Sequence, residues 1–228
     1  MSNNECFDFR VYMHVNFLEN SFEVDQIIPR CADAGYDGIE LRGFDINEKM
    51  STAQYLDYVY PLTEKYQLKV TFGCPNDPVN RDVNVRKASL ENFKYVIGFA
   101  ANHGIPSLNI FGSNILNPDL DYLDFEGNGS AYATDAQWKM SVDYFQEAGD
   151  FAGEKGVDLC FETHNCYIHD LAYATVRLLE KINRPRVKAN LDFGNIYLHK
   201  KSKSMQEEFD LIKDHIGYVH LKNVCLFN

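Results

Sequence analysis

Three residues with metal-binding side chains recur near the ends of three successive β-rich segments. They are Glu162, Asp192 and His220, and each stands among apolar residues. Two carboxylate oxygens and one imidazole nitrogen suit a divalent ion such as Mn²⁺, Mg²⁺, Co²⁺ or Zn²⁺. A single carboxylate at a strand end is more commonly a solvated charge. Three such residues on consecutive predicted strands favour a divalent-metal site.

Other polar residues accompany these three in the sequence. His164 and Lys222 follow Glu162 and His220 by two positions, so strand alternation predicts that they share a face with them. There they would bind substrate oxygens. If the ion polarises a substrate carbonyl and a neighbouring proton leaves, they would stabilise the enediolate that forms. For His164, an equally good alternative is a structural role, in which it holds Glu162 or a loop carbonyl. Asn195 can hydrogen-bond a substrate hydroxyl, but its amide cannot act as a general base.

The first two predicted strands supply three weaker candidates for substrate contact. Glu40 and Arg42 share one face of the second strand, and pairing with each other is their alternative role. His14 lies near the end of the first strand and could line the same site. Four further histidines have no partner pattern and are predicted to lie on the surface: His103, His169, His199 and His215.

Short β-rich runs alternate with longer amphipathic segments along the whole chain. The predicted strands are 9–15, 38–43, 69–74, 107–112, 157–164, 187–193 and 218–223. The predicted helices are 24–34, 51–66, 82–103, 135–155, 170–182 and 205–215. This alternation is typical of repeated βα units and a parallel sheet.

The parallel sheet could be an open doubly wound sheet or a closed barrel. No G-x-G-x-x-G or G-x-x-x-x-G-K-[ST] motif follows any predicted strand. The sequence therefore lacks the glycine-rich loop with which open sheets usually bind the phosphates of a nucleotide. Polar residues gather at the carboxyl ends of several strands, which a barrel brings together. We therefore predict an α/β fold of the (β/α)8 TIM-barrel type. Because the chain ends shortly after the seventh strand, we expect this barrel to be truncated there.

Composition narrows the choice of partners and compartment. The chain has 22 Lys and Arg against 33 Asp and Glu, a net charge of -11, which disfavours nucleic acid and anionic membranes. Its six cysteines are scattered without a C-x-x-C motif, so reduced thiols are expected. The sequence has neither a secretory signal nor an apolar run of membrane-spanning length, which predicts a cytoplasmic protein.

Four motifs together resemble a known family. They are GYDGIELR at 35–42, FETH at 161–164, NLDFGN at 190–195 and VHLKN at 219–223. In this order and spacing they are similar to the xylose-isomerase-like TIM-barrel superfamily, also called the sugar phosphate isomerases/epimerases. That superfamily includes ketose 3-epimerases, hydroxypyruvate isomerase, inosose dehydratase and, more distantly, the endonuclease IV group. The resemblance spans essentially the whole chain and implies a single domain, 1–228, that lacks the C-terminal strand and helix.

The resemblance also implies an activity and a site. By it, Glu162, Asp192 and His220 match three of four metal ligands, the fourth being a Glu on an eighth strand. Glu162 would be one of two glutamates that move a proton beside a carbonyl polarised by Mn²⁺, Mg²⁺, Co²⁺ or Zn²⁺. The substrate would be a small sugar, ketose or polyol, free or phosphorylated, and a homodimer is compatible with related barrels. Asn195 and Asn223 depart from the family's usual His and Asp.

Three other functions stay open at this point. A sugar or inosose dehydratase, or a lyase, would use the same metal site, with Lys222 or His164 helping the hydroxyl to leave. Alternatively, the chain would be a truncated barrel that lacks the fourth ligand and is inactive. An endonuclease-IV-like role is disfavoured by the net charge of -11 and by too few histidines for a three-metal cluster.

Overall fold

The computed structural model of the chain describes residues 9–224. Contacts divide the chain into two compact units, Met1–Phe72 and Gly73–Asn228. Two of the six cysteines, Cys6 and Cys225, lie outside the described residues, and the other four are buried free thiols. None of the helices between residues 9 and 224 is long and apolar enough to cross a membrane.

The first unit contains two complete βα repeats. Strand β1 (Tyr12–His14) precedes helix α1 (Val24–Asp33), and strand β2 (Gly38–Arg42) precedes helix α2 (Thr52–Lys65). β1 and β2 pair in parallel, with His14 opposite Glu40. Helix α2 begins at a capping box in which Ser51 and Gln54 each accept the other's backbone N–H. Strand β3 (Lys69–Pro75) starts at the end of this unit.

The second unit continues the same repeat. Its remaining strands are β4 (Ser107–Phe111), β5 (Asp158–Glu162), β6 (Val187–Asp192) and β7 (Ile216–His220). Its helices are α3 (Val83–Asn102), α4 (Asp135–Lys155), α5 (Ala172–Ile182), α6 (Phe193–Leu198) and α7 (Met205–Ile212). The strands pair in parallel in the order β3-β4-β5-β6-β7. Consecutive parallel strands joined by helices form the α/β repeat of a (β/α) barrel.

The core of the second unit lies between its strands and the helices that cover them. Leu108, Leu159 and Leu191 are fully buried on β4, β5 and β6. Phe161 on β5 packs edge-on against Phe145 of α4, with ring centroids 4.6 Å apart. Strands buried on both faces read as continuous apolar runs, and the few polar residues within them therefore stand out.

All seven predicted strands and all six predicted helices occur within residues 9–224. Helix α6 was not predicted, and it begins at Phe193, which we expected to end a strand. The prediction that His164 and Lys222 lie on strands is wrong, because β5 ends at Glu162 and β7 ends at His220. Their positions are set by the segments that follow the strands and not by strand alternation.

Candidate metal centre

Glu162, Asp192 and His220 are the last residues of three adjacent strands, β5, β6 and β7. The parallel register places Asp192 opposite His220. His220 Nδ1 lies 3.1 Å from Glu162 Oε2 and 3.7 Å from Asp192 Oδ2. One ligand atom from each of the three residues lies within 4.8 Å of the other two. The three residues named from the sequence therefore meet at one point.

This donor set fits a divalent ion. Two ligands about 2.1 Å from a shared ion, at angles between octahedral and tetrahedral, are about 3.0–3.4 Å apart, close to the separations found here. Asp192 Oδ2 is buried, and within residues 9–224 it faces the ammonium of Lys222 at 2.6 Å and His220 Nδ1 at 3.7 Å. Such an oxygen is stabilised by a cation, and an ion at this point would satisfy it.

Glu162 is held by amide groups on both of its oxygens. Asn195 Nδ2 donates to Oε1 at 2.9 Å, and Asn109 Nδ2 donates to Oε2 at 2.9 Å. Asn109 in turn accepts a hydrogen bond from Asn190 Nδ2 at 2.9 Å. All of these residues are buried. Sequence reasoning did not identify Asn109 or Asn190 as residues that orient Glu162; the signal it offered was a single Asn inside an apolar strand.

The carboxyl groups of Glu162 and Asp192 stay ionised despite their burial. Burial acts to raise the pKa of Glu162, but the hydrogen bond and charge of His220, with the charge of His164, hold that pKa below its usual range. Burial has the same effect on Asp192, and the nearby His220 imidazole and Lys222 ammonium hold the pKa of that carboxyl low. Ionised carboxylates are the form that binds a metal.

Helix α6 orients Asp192. Asp192 is its N-cap, and Oδ1 accepts the backbone N–H of Asn195 at 2.9 Å. The Asp192 backbone N–H donates to Thr163 Oγ1 at 2.9 Å. Oδ1 is therefore engaged by the helix, and Oδ2 is the oxygen that faces His220.

Of the predicted substrate-binding residues in this unit, Lys222 and Asn195 lie at the centre. Lys222 Nζ is 2.6 Å from Asp192 Oδ2 and donates to Asn195 Oδ1 at 3.1 Å. His164 donates from Nδ1 to the carbonyl of Asn165 at 3.0 Å, and its ring packs edge-on against Phe111 and Tyr167. His164 acts on Glu162 through its charge.

The predicted surface positions of His169 and His199 are wrong, since both side chains are buried. His169 Nε2 accepts the backbone N–H of Gly112 at 3.0 Å, so Nδ1 carries the proton that it donates to the carbonyl oxygen of Glu162 at 2.5 Å. Burial lowers the pKa of His169 to about 4. His169 is thus a neutral imidazole that fixes the backbone of Glu162.

The three candidates of the first unit pair within that unit. His14 Nε2 lies 3.3 Å from Glu40 Oε1, and Glu40 is buried. Arg42 donates to both carboxylate oxygens of Glu19, from Nε to Oε2 at 3.2 Å and from Nη2 to Oε1 at 2.5 Å. It also donates to the side-chain oxygen of Asn16. Substrate contact by these three residues stays a prediction.

Three solved structures illustrate the proteins whose fold is similar to that of this chain. D-psicose 3-epimerase from Clostridium cellulolyticum H10, crystallised with D-tagatose, is 15% identical with a TM-score of 0.74, covering 93% of this chain and 72% of its own. The probable 3-DHS dehydratase of petrobactin synthesis from Bacillus anthracis is 16% identical (TM-score 0.72; 95% and 75% covered). A xylose isomerase-like TIM barrel protein from Mycobacterium smegmatis, in complex with magnesium, is 15% identical (TM-score 0.73; 95% and 75%).

At these identities the likeness establishes the fold. No curated protein matches the sequence. Residues 28–225, most of the chain, match a family model described as the xylose isomerase-like TIM barrel. This agrees with the parallel βα repeat and with the family that the motifs indicated. The chain belongs to the xylose isomerase-like TIM-barrel family.

Proposed function

We propose that the chain is a divalent-metal-dependent isomerase or epimerase of a small sugar, ketose or polyol. The observation that carries this proposal is the convergence of two ionised, buried carboxylates and one imidazole, with His220 Nδ1 3.1 Å from Glu162 and 3.7 Å from Asp192. Glu162, Asp192 and His220 would hold the ion. When bound, the ion would polarise a ketose carbonyl and acidify the neighbouring C–H.

Glu162 would move the proton. Its carboxylate is ionised, as a base must be, and it lies at the carboxyl end of β5, the face on which barrel enzymes bind substrate. Asn109 and Asn195 each donate to one of its oxygens, so the carboxylate has one fixed orientation. Proton transfer is sensitive to small misplacement, which makes this orientation part of the proposed chemistry.

Lys222 and His164 would bind substrate oxygens. The ammonium of Lys222 stands 2.6 Å from Asp192 Oδ2, next to the proposed ion site. A cation there would stabilise negative charge that develops on a substrate oxygen. His164 is half-buried and aromatic rings support its imidazole.

A dehydratase or lyase is the second candidate, and the position of Lys222 favours it. An ammonium donor beside the ion site could protonate a leaving hydroxyl, while Glu162 removes the proton from the adjacent carbon, so that water leaves and a C=C bond forms. This reaction needs the same three ligands. The two candidates therefore differ in product and not in site.

One assay separates these reactions. The Mn²⁺-loaded chain is incubated with ketoses, inososes and their phosphates in D₂O, and NMR follows deuterium entry, epimer exchange and water loss. We expect deuterium at the carbon beside the carbonyl, and a new epimer if the enzyme is an epimerase. A dehydratase would instead give an unsaturated product.

The role of Glu162 is tested in the same assay with E162Q. We expect the exchange rate to fall about 10²- to 10⁴-fold, because the amide cannot accept the proton. Glu154 is an exposed carboxylate on α4, so E154Q is the matched control and should retain the parental rate. Equal rates in E162Q and the parent would show that Glu162 is not the base. No deuterium entry with any substrate would contradict the proposed reaction class.

A further inference from the structure

The ammonium of Lys222 and the proposed metal ion share one oxygen atom. Asp192 Oδ1 is engaged by the backbone N–H of Asn195, which leaves Oδ2 as the oxygen available to an ion. Lys222 Nζ lies 2.6 Å from this same Oδ2. The Asp192 carboxylate is fully buried, so water does not screen its interaction with either cation.

Lys222 is held in this position by Asn195 and by a groove at Gly194 in which its aliphatic stem lies. Its ammonium also donates to Asn195 Oδ1 at 3.1 Å, which fixes it at a second point. Its aliphatic stem crosses the first turn of α6 at Gly194. A Cβ on Gly194 would lie only 2.3 Å from Lys222 Cγ and 2.6 Å from Cδ. The stem can therefore lie here because residue 194 has no side chain.

Two cations at one carboxylate oxygen repel each other. An ion bound to Oδ2 would stand within a few ångströms of the ammonium, where Coulomb repulsion between partly buried charges is large. The Lys222 side chain is one-third exposed, and its flexible stem offers a way out of the groove. When the ion binds, Lys222 therefore either leaves Oδ2 or stays there and weakens the binding of the ion to Asp192.

We infer that Lys222 is a built-in competitor of the divalent ion for Asp192, positioned by the groove at Gly194. This inference rests on the proposed metal site at Glu162, Asp192 and His220. The competition lowers the affinity of the site for the ion and couples ion binding to release of the Lys222 ammonium from Asp192.

The experiment measures Mn²⁺ affinity by isothermal titration calorimetry on the full chain, without any substrate. K222M keeps the length of the side chain and removes its charge, so we expect at least about tenfold tighter Mn²⁺ binding. K222R keeps the charge and should bind within about threefold of the parent. K201M is the matched control, because Lys201 donates to the carbonyl of Glu126 and its loss changes the net charge equally.

G194A tests the groove separately. The new methyl group should push the Lys222 stem aside, so G194A alone should bind Mn²⁺ more tightly than the parent. Added to K222M, the same substitution should have little effect on Mn²⁺ affinity. Melting curves without metal confirm that each variant is folded.

Three outcomes would overturn the inference, and the measurements tell them apart. If K222M binds Mn²⁺ with the affinity of the parent, or more weakly, the metal site stands and the competition is wrong. If K222M and K201M gain affinity equally, the effect is one of net charge, and the competition is again wrong. If neither the parent nor K222M binds Mn²⁺, the proposed metal site itself fails and the inference fails with it.

Discussion

The side-chain amide of Asn109 donates a 2.9 Å hydrogen bond to Glu162 Oε2 and joins the middle of β4 to the carboxylate that ends β5. Because Asn190 donates to Asn109 in turn, three strands contribute to one buried chain of hydrogen bonds. The Asn109 amide accepts from Asn190 through its oxygen and donates to Glu162 through its nitrogen. The orientation of Glu162 is therefore set by residues that do not themselves reach the candidate ion site.

Replacing Asn109 by Leu should affect both stability and turnover. N109L leaves Glu162 Oε2 without this donor and Asn190 Nδ2 without this acceptor, so we expect the free energy of unfolding to fall by about 1–3 kcal/mol. We also expect slower exchange in the D₂O assay. Urea denaturation and the exchange rate measure the two effects.

N102L is the control for N109L, because Asn102 is exposed at the end of α3. It should change the free energy of unfolding by no more than about 0.5 kcal/mol. If N109L behaved like N102L in both measurements, the hydrogen-bond chain would have no role in positioning Glu162.

The sequence was sufficient to predict the βα repeat and the meeting of Glu162, Asp192 and His220. Apolar runs and helical periodicity are local signals, and parallel strands align their carboxyl ends whatever the loops do. Helix α6 escaped prediction because it has only six residues, too few to show a period, and its first residue, Phe193, was assigned to the end of a strand.

The buried histidine and asparagines escaped prediction for a different reason. His169 is buried because it bonds the backbone of Gly112, 57 residues away in the chain. Asn109 and Asn190 are 81 residues apart. Contacts of this range are created by the fold and leave no spacing pattern in one sequence. The same residue types at exposed positions would look identical.

Two adjacent buried groups, His169 and Asp170, should have opposite effects on stability as the pH changes. Burial lowers the pKa of His169 to about 4, so its contribution to stability is present above its unfolded pKa and is lost as the pH falls toward 4. Burial raises the pKa of Asp170 to about 6, against the hydrogen bond from Ser130. Its contribution is present at low pH and is lost as the pH rises through 6. Between about pH 4 and 6 the two contributions offset each other.

D170N should expose this balance. The amide keeps an acceptor for the Ser130 N–H but does not titrate, so the effect of His169 is no longer offset. Relative to the parent, we expect the variant to lose about 1.4 kcal/mol per pH unit as the pH falls from 6 to 4, about 3 kcal/mol in all. Urea denaturation at intervals of one pH unit measures this difference. Parallel stability curves for the two proteins would contradict it.

Two glycines with positive φ form a matched pair. Gly129 has φ +60°, and a Cβ there would lie 2.3 Å from Asp170 Oδ2 and 2.8 Å from the carbonyl oxygen of Tyr167. Gly156 caps α4 with φ +75°, and no atom lies within 4 Å of the position of its Cβ. We expect G156A to lower the free energy of unfolding by about 1 kcal/mol, the conformational cost alone. G129A adds the steric conflict and should cost about 2–4 kcal/mol. Equal losses in urea denaturation would show that the loop around Gly129 moves freely.

Loss of the His220 imidazole should abolish the stabilisation that a divalent ion gives to the fold. After dialysis against a chelator, Mn²⁺ at 100 times its dissociation constant should add about 2.7 kcal/mol to the parent, which for a chain of this size raises the melting temperature by about 5–10 °C. H220A removes one of three ligands and leaves Glu162 and Asp192 without their shared partner, so its melting temperature without metal falls as well. The deciding quantity is therefore the rise in melting temperature on adding Mn²⁺, which we expect to be near zero in H220A. His103 lies at the C-terminal end of α3, and H103A should keep the full increment. A full increment in H220A would place the ion elsewhere on the chain.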